Sequence, residues 1–139
     1  MITRKLLLLP IFLTSFIAMS YSQIKLTVEV HELRNNQGVV SIELINEKGE
    51  PLKGLTQNIT DGKCVFVFDL PGPGKFGFRY FHDENRNKKI DLNFLGIPKE
   101  GYGYSAFESG AFLPPNYKKT LLNITNSIAI RTKPGYILN

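Results

Sequence analysis

Between positions 82 and 91 the chain reads His82-Asp83-Glu84-Asn85-Arg86-Asn87-Lys88-Lys89-Ile90-Asp91, with oxygen-bearing side chains at alternate places. Asp83, Asn85, Asn87 and Asp91 occupy relative positions 1, 3, 5 and 9 of a calcium-coordinating loop, and the carbonyl of Lys89 falls at position 7. Calcium prefers hard oxygen ligands, and short Asp and Asn side chains spaced two apart converge when the backbone wraps around the ion. Ile90, at position 8, suits the apolar residue that ties such a loop to a core. Two positions depart from the helix-loop-helix pattern: Lys88 stands where glycine permits the sharp turn, and Phe94 where a bidentate glutamate binds. Asp83, Glu84 and Asp91 are balanced by Arg86, Lys88 and Lys89, so the expected affinity is low, with Kd of about 10⁻⁴ to 10⁻³ M as in extracellular modules. Glu100 or Asn93 would complete the shell. The competing expectation is a metal-free polar turn in which Asp and Asn accept nearby backbone N–H groups.

The remaining chemistry is sparse. His82 shares strand parity with Phe76, Phe78 and Tyr80 and is expected to point inward at the end of a strand, whereas His31 lies on a polar parity at the surface. A hydrolase would have to pair His82 with Asp83 or with a tyrosine or a serine such as Ser105. No nucleophile elbow or metal-hydrolase motif accompanies them, so the chain reads as non-enzymatic. Cys64 is the sole cysteine, which excludes an internal disulfide, a paired-thiol redox motif and a thiolate zinc cluster, and leaves it as a small core residue. Tyr102, Tyr104 and Phe107, followed by Phe112 and Tyr117 and framed by glycines, form either a platform for a sugar ring or peptide, or a cap over the open end of a core. Asn58-Ile59-Thr60 and Asn123-Ile124-Thr125 fit the glycosylation pattern.

Positioning these residues falls to strands. Arg4 and Lys5 precede an apolar run, Leu6 to Met19, that ends in Ser20-Tyr21-Ser22, the make-up of a secretory signal peptide over residues 1–22. The run is short and carries Pro10, so no membrane insertion is expected, and no lipid-accepting cysteine follows it. A periplasmic or secreted chain, not lipid-anchored, is therefore anticipated, with residues 23–139 as one domain. The formal charge of +5 falls to +3 once Arg4 and Lys5 leave, without any long basic cluster, which disfavours nucleic acid as a partner.

Period-two alternation marks strands over 24–30 and 39–45, joined through Asn35-Asn36-Gln37-Gly38 as a hairpin. Residues 52–60 are weakly periodic and fit a short edge strand. Lys63 to Leu70 is apolar on both parities and reads as central, Pro71-Gly72-Pro73-Gly74 turns the chain, and Lys75 to His82 leads into the polar loop. Residues 92–118 read as a long aromatic and glycine-rich connection, and 120–125 with 127–132 as a closing hairpin. The fold class is all-β, an antiparallel β-sandwich of six to eight strands without an amphipathic helix.

The leader, the segment Leu33 to Gly38, the Asp69-Leu70-Pro71-Gly72-Pro73-Gly74 turn and the run from His82 through Gly103 together resemble a family of small exported bacterial proteins known only as a domain of unknown function. The most specific part is His82-Asp83-Glu84-Asn85 with Asp91, Asn93-Phe94-Leu95-Gly96-Ile97-Pro98 and Glu100-Gly101-Tyr102-Gly103. Members of that family usually carry glycine where this chain has Arg86 and Lys88. The resemblance implies an envelope or secreted location in a Gram-negative bacterium of the Bacteroidetes type, and no activity. Residues 24–82 are also similar to prealbumin-like and carboxypeptidase-regulatory-like sandwiches, with an immunoglobulin-like arrangement as the other architecture. Transthyretin-related hydrolases end in Tyr-Arg-Gly-Ser, unlike the Lys133-Pro134-Gly135-Tyr136 of this chain. The expected role is a non-enzymatic exported module with a calcium loop, or a surface protein that binds a carbohydrate or peptide through the Tyr102 to Tyr117 loop.

Overall fold

The computed structural model describes residues 23–106 and 115–138. The expected signal segment, Phe107 and Phe112 lie outside these residues. Eight strands form: β1 (Ile24–Val30), β2 (Val39–Ile45), β3 (Pro51–Asn58), β4 (Cys64–Leu70), β5 (Gly74–Asp83), β6 (Tyr102–Tyr104), β7 (Leu122–Ile124) and β8 (Ile128–Thr132). The only helix among the described residues is a single 3-10 turn, Tyr117–Thr120. No helix among them is long and apolar enough to cross a membrane.

Two sheets pack face to face, with strand order β4-β1-β8 in one and β3-β2-β5-β6 in the other, where β7 continues along β5 beyond β6. The inward parity supplies the core: Leu26, Val28 and Val30 from β1, Val40, Ile42 and Leu44 from β2, Phe66 and Phe68 from β4, and Phe76, Phe78 and Tyr80 from β5. Phe66, Phe68 and Phe78 are fully enclosed, and each contributes about 1.5–3 kcal/mol by leaving water. The all-β sandwich is thus the fold.

Strand partnership differs from the expectation in three places. β1 and β2 do not form a hairpin, because β1 pairs with β4 and β8 while β2 pairs with β3 and β5. The segment between them is too long for a tight reversal. It crosses the end of the sandwich, pinned by buried Leu33, whose N–H donates to the Gly62 carbonyl at 3.0 Å. The closing hairpin is likewise absent. β7 pairs with Gly74–Phe76 of β5, and β8 moves to the other sheet and runs parallel to β1, with Val28 opposite Ile130. A hydrogen bond from Lys25 N to Ser127 Oγ, 3.0 Å, fixes where β8 starts.

Nor is β4 central. It edges the smaller sheet, so its outward Val65 and Val67 stay exposed while Cys64, Phe66, Phe68 and Leu70 face in; valine's strand preference mimicked the signature of a strand buried on both sides. The weakly periodic stretch becomes a full edge strand, β3, whose exposed run gives no alternation to read. Finally, Ser105 mends the edge of β5 between the short strands β6 and β7. Its Oγ accepts the Phe78 N–H at 2.8 Å and donates to the Thr120 carbonyl at 2.6 Å, and its own N–H reaches Phe78 O at 2.9 Å.

Candidate functional site

β5 carries His82 into the end of the core, where it is completely buried. Its Nε2 lies 2.8 Å from the Gln37 carbonyl, an acceptor only, so Nε2 holds the ring proton. Nδ1 lies 2.8 Å from the Tyr136 hydroxyl and 3.7 Å from Glu84 Oε1, and the Tyr136 oxygen accepts the Arg34 backbone N–H at 3.2 Å. Both ring nitrogens are thus hydrogen-bonded within the protein, and the ring is enclosed. Ser105 lies beside Phe78, four positions back along the strand and about 13 Å away at strand rise. Of the partners expected for His82, Ser105 therefore does not meet it, whereas a tyrosine, Tyr136, does.

Beside His82, Glu84 and Arg34 form a bidentate pair, with Nε to Oε1 at 2.7 Å and Nη2 to Oε2 at 2.6 Å, and Asn35 adds an amide N–H at 2.9 Å. The Arg34 guanidinium holds the Glu84 carboxyl below the usual carboxylate range, and the carboxylate in turn raises Arg34. The guanidinium also covers the Tyr136 ring at 4.6 Å and donates to the carbonyls of Leu138 and Lys99, both at 3.1 Å. This clasp ties four separate chain segments together.

The polar loop closes on itself. Asp83, nearly fully buried, accepts the N–H groups of Asn87 and Lys88 at 3.0 and 2.9 Å. Asn85 Oδ1 accepts Asn87 N–H and Asn87 Oδ1 accepts Lys89 N–H, at 3.0 and 3.1 Å. The Asp91 carboxylate takes the side-chain amides of both Asn85 and Asn87. The four expected side-chain ligands therefore do gather around one turn, with every oxygen named turned to an N–H donor; among the described residues no group of three or more His, Cys, Asp or Glu is arranged to hold a metal. Arg86 and Lys88 adopt φ of +60° and +66°, which explains why glycine suits both places. Buried Glu100 staples the loop at its base, accepting Glu84 N–H at 2.9 Å and Asp91 N–H at 3.0 Å. Asn93 serves elsewhere: its Oδ1 caps the tip of a small hairpin over 91–99, accepting the N–H of Leu95 and of Ile97, both at 2.9 Å.

On the far side of this loop, the outward face of the larger sheet carries a groove of about 370 Å³. Register sets its floor as two rows across the strands, Gly54-Glu43-Arg79-Tyr104 and Thr56-Ser41-Phe81-Tyr102. Arg79 Nε donates to Glu43 Oε2 at 2.7 Å, while Gly54 leaves its end of the first row open. Tyr102 and Tyr104 stand edge to face, with centroids 6.1 Å apart, and Ile90 overhangs from the polar loop. Burial pushes both tyrosine hydroxyls above their ordinary pKa. The Tyr104 hydroxyl has no hydrogen-bond partner among the described residues. Tyr102 and Tyr104 were legible as a pair from sequence. Glu43, Arg79 and Phe81 were not singled out, although their outward parity on two recognised strands marks them.

A family model for an uncharacterized protein conserved in bacteria (DUF2141) matches residues 28–130. The chain belongs to that family. Its matched span ends on two residues that face each other across the β1–β8 pair, Val28 and Ile130. The DUF2141 span contains the polar loop and every groove residue, whereas Tyr136, the partner of His82, falls outside it. No curated protein and no solved structure matches the chain.

Proposed function

We propose that this DUF2141 chain is an exported, non-catalytic sandwich that binds a saccharide in the groove on the outward face of its larger sheet. The observation that carries the reading is the pairing of an aromatic wall, Tyr102 and Tyr104, with a charged floor, Arg79 and Glu43. A sugar offers an apolar ring face to the tyrosines and hydroxyls to the ion pair and to the Tyr104 hydroxyl, and the groove has the volume of a small-ligand site. Export is supported by Arg4, Lys5 and the apolar run that follows them. The absence of catalysis is supported by the enclosure of His82 and its distance from Ser105.

Titration of the purified protein against a panel of neutral, acidic and amino sugars tests this. Saturable binding that Tyr104→Ala and Arg79→Ala each weaken at least about tenfold, with melting temperature preserved, is the expected result. Binding to no sugar, or equal binding by both variants, overturns it.

Weak calcium binding by the loop is a second reading, supported by the gathering of Asp83, Asn85, Asn87 and Asp91 in one turn. Loading would require the two asparagine amides to turn their oxygens toward the ion. Calcium at about ten times Kd should then stabilise the fold by about 1.4 kcal/mol. A melting temperature identical in chelator and in millimolar calcium removes this reading.

A further inference from the structure

The small hairpin over residues 91–99 holds its apolar side chains away from the core. Phe94 is 94% exposed, Leu95 67% and Leu92 50%, and together they are the largest exposed apolar tip of the described chain. This display is built. Lys99 N–H donates to Asp91 O at 2.8 Å, Asn93 N–H to Ile97 O at 2.8 Å and Gly96 N–H to Asn93 O at 3.0 Å, and the Asn93 side chain caps the turn between them. Gly96 supplies the positive φ, +78°, that closes the tip.

Behind the tip stand Lys88, Lys89 and Lys99, all exposed and none with an ion-pair partner among the described residues. Between positions 85 and 99 four cations face one anion, Asp91, which the two asparagine amides already engage. We infer that this hairpin is an anchor for an anionic phospholipid surface, in which Phe94 and Leu95 enter the interface while Lys88, Lys89 and Lys99 meet the headgroups. Two features favour a bilayer over a protein partner. The apolar group is a narrow projecting tip of three side chains, whereas a protein interface centres on a broad packed patch. The cations are placed behind the apolar tip, which is the order met on passing from hydrocarbon to headgroup.

The test uses protein purified from an exporting bacterium and vesicles of phosphatidylcholine with or without phosphatidylglycerol. The chain has no tryptophan, so Phe94→Trp places a single indole at the tip, excited selectively beyond the absorption of the tyrosines. Its emission should shift to the blue with phosphatidylglycerol vesicles and stay unchanged without them. In co-sedimentation, Phe94→Ser combined with Leu95→Ser should weaken binding at least about tenfold. Replacing the three lysines by glutamine should weaken it about fivefold per residue, with the loss mimicked by salt. Both sets change exposed side chains and should leave the melting temperature unaltered. Sedimentation of the serine variant equal to wild type, no emission shift, or binding of the tip to an envelope protein but to neither vesicle overturns the inference.

Discussion

Lys88 and Arg86 sit in the left-handed backbone region, which a side chain makes unfavourable by about 1–2 kcal/mol and which glycine enters freely. The Lys88 side chain makes no hydrogen bond or ion pair among the described residues in return, while Arg86 donates to Gly38 O and Asn58 Oδ1 at 3.1 and 3.2 Å. Lys88→Gly should therefore stabilise the protein by about 0.5 kcal/mol, the strain relieved less the added entropy of the unfolded chain, and raise the calorimetric melting temperature by about 2–4 °C. Arg86→Gly should show a smaller gain or none. Gly38 is the opposite case. Its φ is +72°, and a Cβ there would stand 1.9 Å from the Asp83 carbonyl oxygen, so Gly38→Ala should lower stability by at least about 2 kcal/mol in urea unfolding. Cys64, which the sequence suggested as core, is buried, and burial pushes its thiol up to about 12. An aromatic disulfide reagent at about pH 8 should leave it untouched in the native protein and label it at once in denaturant.

Among elements, parity was readable and partnership was not. Alternation along 24–30, 39–45 and 75–82 assigned the inward faces correctly, including His82, because burial imposes period two on each strand by itself. The order of strands depends on where loops go, and the segment after β1 is directed by tertiary anchors such as Leu33 to Gly62 that no local pattern encodes. The same limit hid the clasp, since Arg34, Glu84 and Tyr136 meet from distant parts of the chain. The polar loop was seen as a unit, and Glu100, from downstream, staples its base by accepting two backbone N–H groups. Glu100→Ala should expose the amides of Glu84 and Asp91 to rapid hydrogen exchange while those of β1 and β2 stay protected.

For the molecule as a whole, the Arg34–Glu84 pair links acid stability to the loop. The Glu84 carboxyl is lowered in the folded protein, so the unfolded chain takes up its proton first as pH falls. The stabilisation is complete above the ordinary carboxylate value near 4.5 and is lost as pH drops through the lower folded value. Glu84→Gln should reduce the urea midpoint at about pH 7 and flatten its decline toward about pH 3.

The side-by-side placement of β1 and β8 bears on how the chain reaches its final form. Residues near 26 and near 128 must find each other before the smaller sheet closes, a contact spanning most of the sequence and slow to make for that reason. A nascent chain lacking β8 leaves one edge of β1 unpaired, so the smaller sheet is completed only after that late segment has been made.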